Sequence, residues 1–70
     1  MAQPEMPKWF GDDGSPVSCT EKIKGMSQNM DELFQAAQDA LEDALLMGCS
    51  EAQVREYLQQ LVRGVENPYQ

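Results

Sequence analysis

The sequence predicts an all-α protein, an antiparallel helical hairpin with a long first helix (about 18–47) and a shorter second helix (about 51–66). Apolar residues recur at steps of three and four in both stretches, which is the period of one helix face. Gly48 and a new capping signal at Ser50 separate the two stretches. Because so short a connection joins antiparallel neighbours, we expect an αα-hairpin.

The long helix has clear signals at both ends. Ser18-Cys19-Thr20-Glu21 fits the S-x-x-E capping box, and Gly48 fits a left-handed C-cap. Gly25 is the position where a kink or a later start is expected. The apolar stripe spans roughly 140° at 100° per residue, wider than a two-stranded coiled-coil seam. It consists of Ile23, Met26, Met30, Leu33, Phe34, Ala37, Ala40, Leu41, Ala44, Leu45 and Met47.

The shorter helix begins at a second box, Ser50-Glu51-Ala52-Gln53, and is expected to end at Asn67-Pro68. Its apolar face consists of Val54, Tyr57, Leu58, Leu61, Val62 and Val65. Folding back from residue 51, it reaches the first helix only down to about residue 32. The apolar residues Ile23, Met26 and Met30 therefore need another partner.

The segment before the helices is rich in proline and glycine. Residues 1–7 are predicted to be a disordered tail, residues 8–17 a turn-rich segment and residues 67–70 a C-terminal tail. Gly11-Asp12-Asp13-Gly14 is a strong turn signal that could close a short hairpin. Trp9 and Phe10 form a candidate aromatic anchor, which either packs on a helix or binds a partner.

A chain of 70 residues buries little apolar surface, so a domain of this size usually needs added stabilisation from disulfides, a metal ion or oligomerisation. Two cysteines and no histidine argue against a structural zinc site, which leaves oligomerisation. We therefore expect a homodimer that forms a four-helix bundle; the alternative is a monomer whose N-terminal segment covers Ile23 to Met30. The expected self-association surface is Ile23, Met26, Met30, Leu33, Phe34, Ala37, Leu41, Val54, Leu58, Leu61 and Val65.

The net charge of −7 disfavours binding to nucleic acid and to anionic membranes. The sequence shows no secretory signal and no apolar stretch long enough to span a bilayer, so a cytoplasmic location is expected. Reduced thiols fit that location. Cys19 and Cys49 would lie roughly 45 Å apart on a continuous helix, too far for an intrachain disulfide.

The acidic side of the long helix is a candidate partner face. It could bind a basic protein surface, hold a divalent cation, or imitate nucleic-acid phosphates and so inhibit a DNA-binding protein. A solvated polar face is the simpler interpretation. Its residues are Asp31, Glu32, Asp39, Glu42 and Asp43.

Without histidine, the chain has no Ser-His or Cys-His nucleophile pair, and no glycine-rich phosphate loop precedes a helix. We therefore expect no catalytic residues, cofactor or metal. The expected function is that of a small non-enzymatic protein acting through protein–protein contacts.

One stretch suggests an alternative function. Ser27-Gln28-Asn29-Met30-Asp31 resembles the S-Q-x-L-D signature of small helical-hairpin phosphatases that act on phospho-aspartate in sporulation response regulators. The resemblance covers five residues, with Met30 in place of the leucine, and it lies in the first helix rather than the second. It implies that the polar residues Ser27 and Gln28 face the response regulator and that Asp31 acts on the aspartyl phosphate.

Overall fold

The computed structural model of the protein describes residues 3–69. Within that range the chain forms two helices, α1 (Thr20–Leu46) and α2 (Glu51–Arg63), with no strand beyond one isolated bridge. This confirms the all-helical hairpin with a long first helix and a shorter second one. The chain divides into two compact units, Met1–Gln35 and Ala36–Gln70, and α1 runs from the first into the second.

The start of α1 differs from the expected capping box. The first helical hydrogen bond runs from the Ile23 amide to the Cys19 carbonyl at 3.0 Å, which puts Cys19 rather than Ser18 at the N-cap position. Ser18 makes no hydrogen bond within residues 3–69, so its box is absent. The amide of Val17 is bonded to the Trp9 carbonyl at 3.0 Å, and this hairpin bond keeps the preceding chain extended. α1 then continues through Gly25 without interruption.

The end of α1 forms the Schellman motif that Gly48 predicts. Gly48 has a φ of 89°, its amide donates to the Leu45 carbonyl at 3.0 Å, and the Cys49 amide donates to the Ala44 carbonyl at 2.9 Å. These are the two bonds that satisfy the last carbonyls of a helix ending in a left-handed residue.

α2 has the predicted start but an earlier end. Ser50 accepts a hydrogen bond from the Gln53 amide at 3.3 Å, and Glu51 pairs with Arg55 at 2.8 Å. The helix ends at Arg63, with Gly64 as its C-cap, whereas the sequence predicted helix to residue 66. Glycine is a poor helix former, so its weak propensity outweighs the apolar period that Val65 continues. Asn67 instead accepts from the Tyr69 amide at 2.8 Å and forms a turn.

The first unit begins with residues 3–9, a segment that forms neither helix nor strand and is here called the N-terminal strap. Gln3, Met6 and Trp9 are half-buried, whereas the residues between them are exposed. This three-residue period matches polyproline II, which suits a segment containing Pro4 and Pro7. The disordered tail expected at 1–7 stays a prediction; Met1 and Ala2, and Gln70 of the C-terminal tail, lie outside the described residues.

A tight turn connects the strap to α1. Phe10 and Pro16 form an antiparallel bridge, the Gly11 amide donates to the Ser15 carbonyl at 2.8 Å, and Gly14 has a φ of 84°. Asp13 accepts from both the amide and the hydroxyl of Ser15. The Gly11–Gly14 turn is thus the short hairpin suggested by the sequence.

Candidate interaction surface

The second unit holds the hairpin contact between α1 and α2. Ala37, Leu41 and Ala44 of α1 are half-buried, as are Val54 and Leu58 of α2. These residues lie on the facing sides of the two helices and form the small apolar centre of the second unit. No side chain within residues 3–69 is fully buried, so the centre is only partly covered.

The expected self-association surface divides into two groups. Ile23, Met26 and Phe34 are half-buried like the hairpin residues just named. Met30, Leu33, Leu61 and Val65 are exposed, Leu33 to 55% and Val65 to 78%. The second group is the part that remains accessible to a partner.

The first unit places the strap against α1. Gln3 donates a hydrogen bond to Asp31 at 2.6 Å. At the other end of the strap, the Trp9 carbonyl accepts from the amide of Val17, which lies just before α1. Six residues of polyproline II span about 19 Å, and the eleven residues from Thr20 to Asp31 span about 17 Å of helix. The strap therefore follows the N-terminal half of α1, where Ile23 and Met26 are half-buried.

The two aromatic residues of the candidate anchor differ in environment. Trp9 is half-buried, and its indole nitrogen is shielded from solvent without a hydrogen-bond partner among the described residues. Phe10 is exposed, with the Lys8 ammonium 5.9 Å from its ring centre, at the outer limit of a cation–π contact. The Trp9 side chain is thus partly packed within the first unit, whereas the Phe10 side chain is accessible to a partner.

The five acidic residues of the candidate partner face are all exposed. Asp31 accepts from Gln3, and Glu42 accepts from Gln38 at 2.9 Å. In the described part of the chain no group of three metal-ligating side chains comes together.

The pKa of Asp13, which lies in the Gly11–Gly14 turn and outside this face, is lowered because the hydroxyl and amide of Ser15 both donate to its carboxylate.

The residues carried over from the phosphatase signature differ in exposure. Ser27 is half-buried, Gln28 and Asp31 are exposed, and the Asp31 carboxylate accepts a hydrogen bond from Gln3. Cys19 and Cys49 are both free and exposed. Neither described helix is long and apolar enough to cross a membrane.

A groove on α2 includes residues that the sequence analysis did not single out. It has a volume of about 320 Å³ and is lined by Tyr57, Gln60, Leu61, Gly64 and Val65. Tyr57, Leu61 and Val65 are spaced four residues apart, so a helical wheel would have placed them together. Gln60 and Gly64 carry no apolar signal, and an analysis based on hydrophobicity misses them.

Comparison with protein-family models, curated proteins and solved structures gives no match for this chain. The fold therefore defines a class, the two-helix hairpin.

Proposed function

We propose that this chain is a non-enzymatic protein that acts through protein–protein contacts, the first of them with a second copy of itself. Two hairpins would associate as a four-helix bundle, with their exposed apolar side chains between them. The main support for this proposal is that no side chain in residues 3–69 is fully buried.

Exposed apolar side chains support the proposal. Folded monomers scatter single apolar residues over their surfaces, but they rarely expose contiguous apolar patches. Here α2 and its C-terminal extension alone expose Tyr57, Leu61 and Val65, which follow one another at four-residue steps and are each at least half accessible. Small domains with so little internal burial are commonly completed by oligomerisation.

The absence of histidine supports the non-enzymatic part of the proposal. No Ser-His or Cys-His pair can activate a nucleophile, and no described cluster could hold a catalytic metal.

Sedimentation equilibrium of the full chain tests self-association. We expect a mass of twice 7.9 kDa at the upper end of a micromolar-to-millimolar series. Thermal unfolding followed by circular dichroism should give a midpoint that rises with concentration, because dimerisation stabilises the folded state by mass action. A monomeric mass and a constant midpoint across the series would overturn the proposal.

A further inference from the structure

The groove on α2 lies beside the hairpin contact rather than within it. At 100° per residue, Tyr57, Gln60, Leu61 and Gly64 share an arc of about 100°, adjoining the arc that carries Val54 and Leu58. Val54 and Leu58 are half-buried, whereas Tyr57 is 60% exposed and Leu61 51% exposed. Gly64, which has no side chain, leaves a notch at one end of the groove, and the Tyr57 ring lies at the other end, seven residues or about two helical turns away.

The charge of α2 differs from that of the whole chain. Two acidic residues, Glu51 and Glu56, are balanced by two basic ones, Arg55 and Arg63, whereas the chain carries −7. A second acidic copy would therefore meet less repulsion on α2 than on the acidic side of α1.

Two of these charges lie on one rim of the groove. Glu56 and Arg63 flank Gln60 and are seven residues apart, about 10.5 Å along the helix axis, which is too far for a mutual ion pair. The other two, Glu51 and Arg55, already pair with each other at 2.8 Å. The rim therefore presents a negative and a positive end to an approaching helix.

We propose that the groove is occupied by α2 of a second copy, antiparallel and related by a two-fold axis near Gln60 and Leu61. In that arrangement each Tyr57 ring lies over the Gly64 notch of the other copy. Each Glu56 lies near Arg63 of the other copy, and the two-fold axis generates both pairs. A parallel arrangement would set like charges against each other. The inference rests on the proposed self-association and gives it a surface and an orientation.

Charge exchange on the rim tests the orientation. Glu56→Arg and Arg63→Glu should each weaken dimerisation by about three- to thirtyfold in Kd, because two attractive pairs become repulsive. The double variant Glu56→Arg/Arg63→Glu keeps the net charge at −7 and should restore the Kd of the original chain. If neither single variant changes the Kd, or if the double variant is the weakest of the three, the antiparallel arrangement is wrong.

Net charge needs its own control, since the single variants change it in opposite directions. Gln59 lies on the side of α2 away from the groove, so Gln59→Arg and Gln59→Glu measure the effect of one unit of charge in each direction, half of the change in each rim variant. Even when doubled on the free-energy scale, their effect on the Kd should be smaller than that of the rim variants. Circular dichroism establishes that each variant retains its helices.

A matched apolar pair tests the groove itself. Leu61→Gln should weaken dimerisation about tenfold, because an exposed leucine that becomes buried on association is lost. Val62→Gln changes a side chain of similar exposure on the other side of α2 and should leave the Kd within about twofold. If the original chain is dimeric but neither Leu61→Gln nor the rim variants change its Kd, the groove assignment is wrong and self-association still holds. A monomeric original chain would overturn both.

Discussion

The side-chain amide of Gln3 donates a hydrogen bond of 2.6 Å to the Oδ1 atom of Asp31. The bond joins residues 28 positions apart and fixes the first described residue of the strap to the middle of α1. Met6 and Trp9, at three-residue steps from Gln3, are half-buried along the same segment. The strap is therefore a candidate for the cover that the N-terminal half of α1 requires, supplied within the first unit rather than by α2.

Breaking this bond should loosen the strap. Gln3→Ala or Asp31→Ala should cost about 0.5–1 kcal/mol, since the bond lies at an exposed position although its acceptor is charged. Trp9, the chain's single tryptophan, reports the change. We expect a red-shifted emission and faster quenching by acrylamide.

Glu32→Ala is the matched control, because Glu32 is exposed and adjacent to Asp31 and its substitution removes the same charge. Its emission should equal that of the unaltered chain. Equal emission from Gln3→Ala and the original chain would show that the hydrogen bond does not hold the strap.

The two serines that precede the helices should differ in importance. Ser50→Ala should destabilise the protein by about 1 kcal/mol, because the Gln53 amide loses its acceptor at the start of α2. Ser18→Ala should change the free energy of unfolding by less than about 0.5 kcal/mol, since Ser18 caps nothing and is exposed. Urea unfolding at one fixed protein concentration measures both; equal losses would mean that Ser18 does cap α1 in solution.

These serines also show how far sequence signals determine the fold. Both boxes have the same pattern, but only Ser50 follows a left-handed Gly48 that sets it directly before a helix. Ser18 follows a hairpin whose Val17–Trp9 bond is non-local, and a capping pattern carries no information about that bond. The helices and the Gly48 cap were therefore predictable.

The interaction surface was predictable only in part. The apolar period selects Phe34 and Leu33 alike, but only the fold shows that Phe34 is half-buried and Leu33 exposed. The groove depends on Gly64, whose contribution is a missing side chain. The strap depends on a three-residue burial period, which hydrophobic patterns of helices and strands do not reveal.

The Asp13 turn should respond to acid. Its lowered pKa means that the ionised form is favoured in the folded protein, so its stabilising contribution is present above the ordinary pKa of 3.8. That contribution is lost as the pH falls through the lower folded value. Carboxyl-carbon NMR should give Asp13 a midpoint below 3.8.

Ser15 supplies the control for this titration. Ser15→Ala removes the hydroxyl donor, the largest cause of the shift, and should move the midpoint up toward 3.8. Ser15→Thr keeps a hydroxyl and should keep the lower midpoint. An unchanged midpoint in Ser15→Ala would assign the shift to the backbone amide alone.

Two glycines should respond to alanine in opposite ways. Gly25 lies inside α1 with open space around an added Cβ, so Gly25→Ala should stabilise the protein by about 1 kcal/mol. Gly48 also has open space, but its φ of 89° is left-handed, so Gly48→Ala should destabilise by about 1–2 kcal/mol. Thermal and urea unfolding at matched concentrations measure both. Because neither added methyl group meets a neighbour, the difference in sign isolates backbone conformation from packing. Stabilisation by both variants would mean that α1 does not end at Gly48 in a left-handed turn.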